Sequence, residues 1–167
     1  VVAADTCRVA AQFDGAVRHF EEADVDAIVT LHLAYSPSLE SVDALVRSRL
    51  PIVILDTTMD AAFGRGVDPA RIMYNHGIHG VMDMASMLRR NGRVFEIAAG
   101  HHAESDAVAR AAQLAHGARA ARLLRSMRAL RIGPSFEGMG DFSVSEAVLR
   151  EKLGVTVNQI DADALLG

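Results

Sequence analysis

Apolar positions along the chain switch repeatedly between two spacings, one helical and one of short unbroken runs. Val9, Phe13, Val17 and Phe20 recur three or four apart and predict a helix from about Asp5 to Ala23. Asp26–Leu33 is then a continuous, β-branched run of strand length, followed by a turn at Tyr35-Ser36-Pro37-Ser38. Val42, Leu45 and Val46 share one face of a predicted helix over Leu39–Arg49, and Pro51–Thr57 is the next strand. A proline is tolerated there because the first residue of a strand need not donate. Met59–Arg71 has no period. A helix from about Gly80 to Asn91 is stopped by Gly92, and Val94–Ala99 is a third strand.

Ser105 and Asp106 open a long Ala- and Arg-rich helix to about Met127. Its expected inner stripe is Val108, Ala111, Ala112, Ala115, Leu123 and Met127. Arg110, Arg119, Arg122, Arg125 and Arg128 fall on the remainder, read as a solvated side rather than an anion site. A last unit runs through strand Leu130–Ile132, a loop to Gly140, helix Ser143–Leu153 and strand Val155–Ile160.

Alternation of helices with unbroken apolar strands is the pattern of parallel sheet covered on both faces. The fold class expected is α/β, with Rossmann-like parallel sheets flanked by helices. Three divisions follow: residues 1–102 as the C-terminal part of a first Rossmann-like domain, 103–128 as a connecting helix, and 129–167 as the first β-α-β unit of a second. On this reading the first domain lacks the strand feeding its first helix and the second lacks most of its body, so the chain is a fragment of a larger multi-domain protein.

Composition narrows the function classes. The 167 residues are 50% hydrophobic and 23% charged, enough to bury a core, and the net charge is −4 with scattered arginines. A nucleic-acid surface, which needs a concentrated basic face, is not expected. No apolar run approaches membrane-spanning length, and the Val1-Val2-Ala3-Ala4 start has no signal-peptide pattern. The only cysteine, Cys7, excludes an intramolecular disulfide and a cysteine-built zinc site, and is expected in or near the core of the first helix. A cytoplasmic location is the default expectation.

Ligands of open parallel sheets gather at the carboxyl ends of the strands. His76, His79, His101 and His102, four of seven histidines, fall at such tips. Three roles stay open for them: polar contact with a ligand, a structural role, or metal binding. Zinc would need a third ligand such as His101 or Asp83. His76 and His79 are three apart, so a helical turn would place them on one face, but Gly77 and Gly80 suggest an irregular backbone where that geometry need not hold; adjacent His101 and His102 are expected to point apart. Gly138-Met139-Gly140 lacks dinucleotide spacing, and no phosphate-binding Gly-Lys-Ser/Thr or Gly-x-Ser-x-Gly motif occurs.

Asn75-His76-Gly77-Ile78-His79-Gly80-Val81-Met82-Asp83-Met84 resembles the L-fucose/L-arabinose isomerase family, in particular its fucose isomerase-like members. Ala99-Gly100-His101-His102, the Ala/Arg helix, Leu130-Arg131-Ile132-Gly133 and Gly138-Met139-Gly140-Asp141 follow in the family's order, with Val25–Pro37 and Leu50–Asp56 upstream. The resemblance spans essentially the whole chain. It implies a three-domain aldose–ketose isomerase of carbohydrate metabolism. In that family a divalent metal, usually Mn2+, holds adjacent oxygens of a small-molecule sugar while carboxylates move a proton. The family's metal ligands lie beyond this chain, so Asp83 and Glu137 are not among them, and no residue here is expected to be catalytic or metal-binding.

His79 matches a histidine that reaches the sugar in a neighbouring subunit's site. His76 stands where arabinose isomerases carry glutamine, Met139 matches a methionine of the pocket wall, and His102 replaces a usual aromatic. His76, His79 and Met139 are thus the implied substrate contacts, in a homotrimer or homohexamer. The alternative is a stand-alone, non-catalytic sugar-binding or regulatory α/β module.

Overall fold

The computed structural model describes residues 1–142 and 144–165. The chain divides into two compact units, Val1–Ala118 and Arg119–Gly167. Both are α/β, with parallel sheets of three and two strands flanked by helices.

In the first unit, helix α1 (Ala10–Glu22) precedes strand β1 (Ile28–Leu31). The helix starts five residues later than its periodicity suggests. The Gln12 carboxamide oxygen accepts from the Arg8 and Val9 amides at 2.7 and 3.3 Å, closing the first turn at Val9. Cys7 therefore lies ahead of the helix. It is half-buried, its thiol donates to the Asp5 carbonyl at 3.4 Å, and burial together with the Asp5 charge pushes its pKa up. The expected position inside the helix is corrected accordingly.

Helix α2 (Val42–Arg47) follows a 3-10 turn at Ser38–Glu40, and strand β2 (Ile52–Asp56) lies between β1 and strand β3 (Glu96–Ala99). The pairing is parallel throughout, Ile28 opposite Ile52 and Ile54 opposite Ile97. Helix α3 (Gly77–Arg90) makes the second crossover, starting three residues earlier than Gly80.

Side chains alternate across a strand, and β2 shows why the sheet needs two covers. Ile52 and Ile54 pack with Val17 of α1, Leu45 of α2 and Val81, Met84 and Leu88 of α3. Val53 and Leu55 point the other way, to Ala98, Ala111 and Leu114. The last two belong to helix α4 (Ala107–Ser126), which thus covers β2 and β3. Val29 and Leu31 of β1, on that same face, stay exposed. The expected stripe of α4 holds in part. Ala111 is buried and Ala115 half-buried, whereas Val108, Ala112, Leu123 and Met127 are exposed.

The second unit pairs strand β4 (Arg128–Ile132) with strand β5 (Thr156–Ile160) in parallel, Leu130 opposite Asn158. Helix α5 (Glu146–Leu153) joins them, its first turn capped by the Ser145 hydroxyl accepting from the Val148 amide. Ser143, expected to open that helix, lies outside the described residues, as do Leu166 and Gly167 of the final segment. Ala162–Leu165 form a 3-10 turn. No helix among the described residues is long and apolar enough to cross a membrane.

Candidate functional site at the strand tips

In the first unit the carboxyl ends of β1, β2 and β3 open onto the loop 57–75 and the first turn of α3. That turn lies against the tail of β1 because two glycines allow it. A Cβ on Gly77 would stand 2.4 Å from the His32 carbonyl oxygen, and one on Gly80 2.8 Å from His32 Cδ2. Gly77 and Gly80 are therefore helical and serve close approach, correcting the irregular backbone expected of them.

The consequence for the histidines is direct. His76 is the residue just before α3, and the His79 amide donates to its carbonyl at 3.2 Å. Their rings lie 4.5 Å apart between centroids, and Tyr35 meets His76 edge-on at 5.7 Å. His79 is exposed and His76 half-buried. On the β3 side, His101 and His102 also come together, with ring centroids 4.4 Å apart. Both reach the turn after β2: His101 Nε2 is 3.3 Å from the Met59 carbonyl and His102 Nδ1 is 3.4 Å from that of Thr58. The expectation that they point apart fails because each ring is drawn to a carbonyl of that one turn.

A polar lattice fixes the loop. Asp60 takes a two-pronged ion pair from Arg71, at 3.0 Å from Nε and 2.5 Å from Nη2, and a hydrogen bond from Asn75 Nδ2 at 2.7 Å. These donors hold the Asp60 carboxyl below the usual carboxylate range. Arg71 also lies over the Tyr74 ring at 4.6 Å. Beside it is a cavity of about 440 Å³ whose lining includes Thr58, Phe63, Val67, Ile72, Ile78 and His79. The wall is mainly apolar, and Thr58, Asp68, Arg71, Asn75 and His79 bring polar or charged groups to it. That arrangement suits a small molecule with both apolar and polar surface.

His32, at the end of β1, escaped the sequence reading because Leu31-His32-Leu33 continues an apolar run. Its Nδ1 and that of His76 are buried without a hydrogen-bond partner. Burial disfavours the His32 imidazolium and lowers its pKa. An unfolded imidazole titrates at about 6.5, so the unfolded chain takes up this proton first as pH falls. The stability difference between wild type and His32→Asn is therefore expected to be constant above that value. It should shift against the wild type as pH drops through the window below it. Urea midpoints from about pH 7.5 to about pH 5 check this, and parallel profiles would rule out a buried neutral His32.

Asp83, weighed as a third metal ligand, instead accepts from the Ser38 amide at 3.1 Å and ties α3 to the turn before α2. Among the described residues, no three of His, Cys, Asp and Glu are grouped to hold a metal ion. Met139 belongs to the second unit, exposed in the segment between β4 and α5. No protein-family model and no curated protein sequence matches this chain.

Proposed function

We propose that this chain is part of a metal-dependent aldose–ketose isomerase resembling the L-fucose and L-arabinose isomerases. In this reading it supplies substrate contacts and an oligomer interface of a cytoplasmic homotrimer or homohexamer. The carrying observation is the pairing of His76 and His79 at 4.5 Å, on the carboxyl side of a parallel sheet. His79 also lines the adjoining cavity. Imidazole nitrogens donate to or accept from sugar hydroxyls, while Phe63, Ile72 and Ile78 offer apolar surface to the C–H face. As the resemblance implies, this reading assigns the Mn2+ to ligands outside the chain, and the proton transfer with it.

Ring-carbon NMR of the 167-residue chain, titrated with L-fucose and L-arabinose, tests the substrate contacts. Saturable shifts at His76 and His79 are expected, with His79→Ala weakening binding by roughly tenfold through a lost hydrogen bond. Neither sugar moving these rings at tens of millimolar would overturn the cavity beside His79 as a sugar contact of this chain. The chain alone with Mn2+ is expected to interconvert no aldose and ketose. Measurable turnover would overturn the placing of the catalytic groups elsewhere.

A further inference from the structure

Asn75 is only 5% exposed, and its carboxamide uses both faces. Its Oδ1 accepts from the Met59 and Asp60 amides at 2.9 and 3.0 Å. Its Nδ2 donates to Asp60 Oδ2 at 2.7 Å and to the Arg71 carbonyl at 2.9 Å. A buried carboxamide with two donors and its acceptor engaged has no alternative orientation of equal energy, since a flip would turn its NH2 toward the Met59 and Asp60 N–H groups and its oxygen toward the Asp60 carboxylate and the Arg71 carbonyl. It directly precedes His76, so it links the start of α3 to the turn Thr58–Asp60.

The other side of that turn is also taken. The Thr58–Met59 peptide donates its N–H to Asn75 Oδ1 while His102 approaches its carbonyl, and the Met59–Asp60 peptide donates its N–H to the same oxygen while His101 approaches its carbonyl. Polar groups chained through one peptide polarise one another and share its orientation. We propose that Asn75 is a positioning residue that sets the two histidine pairs, His76–His79 and His101–His102, against one shared turn. A change at either pair then reaches the other through Met59. The arrangement fixes four imidazoles at the mouth of the strand tips, whatever small molecule they serve, and does not depend on the sugar assignment.

The test is ring and side-chain NMR on the full 167-residue chain. In Asn75→Ala the ring cross-peak between His76 and His79 is expected to be lost and the His101 and His102 ring resonances to shift. Asn91→Ala removes a carboxamide at the far end of α3, where it donates to the Met87 carbonyl at 2.8 Å, and should leave all four rings unmoved. A folded Asn75→Ala protein with all four rings at their wild-type positions overturns the proposal. Should that variant not fold, His101→Ala reads the link in reverse. The Asn75 side-chain NH2 and His76 ring resonances are expected to shift, and their staying unmoved overturns it.

Discussion

Replacing Gly77 by alanine is expected to destabilise the protein by about 2–4 kcal/mol, the reverse of what the change does in most helices. Alanine has the higher helix propensity, so Gly→Ala inside a helix ordinarily gains roughly 0.5–1 kcal/mol. Gly15 in α1 and Gly117 in α4 should behave in that ordinary way, since a Cβ at either meets nothing within 4 Å. At Gly77 the new methyl would sit 2.4 Å from the His32 carbonyl oxygen and 3.2 Å from its carbon. These are backbone atoms of the segment leaving β1, and no rotamer change moves them away.

Relief must come from α3 lifting off the sheet. That loosens Val81, Met84 and Leu88 from Ile28 and Ile54, where each is almost fully buried. The steric cost thus propagates into lost packing. Gly80→Ala should be milder. Its Cβ meets the movable His32 ring at 2.8 Å, although the Ser36 amide nitrogen at 3.0 Å cannot yield so easily. Urea unfolding of the four single variants measures the pattern. A Gly77→Ala protein at or above wild-type stability would mean that α3 does not pack so closely on β1.

Periodicity carried the strands of the first sheet because burial on both sides of a parallel sheet leaves a continuous apolar signature. Ile52, Val53 and Ile54 are all buried, and the run Pro51–Thr57 announces it. The strand-tip histidines were legible as a cluster, since topology alone puts segments after β2 and β3 at one edge. The pairing of His76 with His79 was legible only on condition of a helical turn there. It depends on α3 beginning at Gly77, and the glycines that permit this read locally as breakers. Only the carbonyl opposite them, 45 residues earlier at His32, reveals close approach as their use. Asn75 was invisible for a similar reason. Its partners include Met59 and Asp60, in a stretch with no hydrophobic period. The first turn of α1 was misplaced because Val9 continues the apolar spacing, whereas the Gln12 carboxamide closes the helix there.

Hydrogen exchange is expected to separate the two sheets of this 167-residue chain by a factor of about a thousand or more. The strand β2 has a neighbour on each side and helices over both faces, so opening its amides requires breaking the whole first unit. Such amides exchange near the global unfolding free energy, of order 5 kcal/mol or more in a typical domain. The β4–β5 pair has only two strands. Among the described hydrophobic residues of that unit, Val155 alone is buried, at 8% exposure, while Leu130, Ile132, Val148 and Leu153 are exposed.

A two-stranded sheet with so little apolar burial has almost nothing to offset the conformational entropy of ordering it. Its amides at Leu130 and Ile132 should therefore exchange through local opening, with protection close to that of a free chain. Comparable protection in β2 and β4 would contradict this. Repeating the measurement over a range of protein concentrations then separates two causes. Protection of β4 that grows with concentration means that its exposed Leu130 and Ile132 are covered by another copy of the chain. Protection independent of concentration means that the second unit holds itself together by contacts stronger than its burial implies.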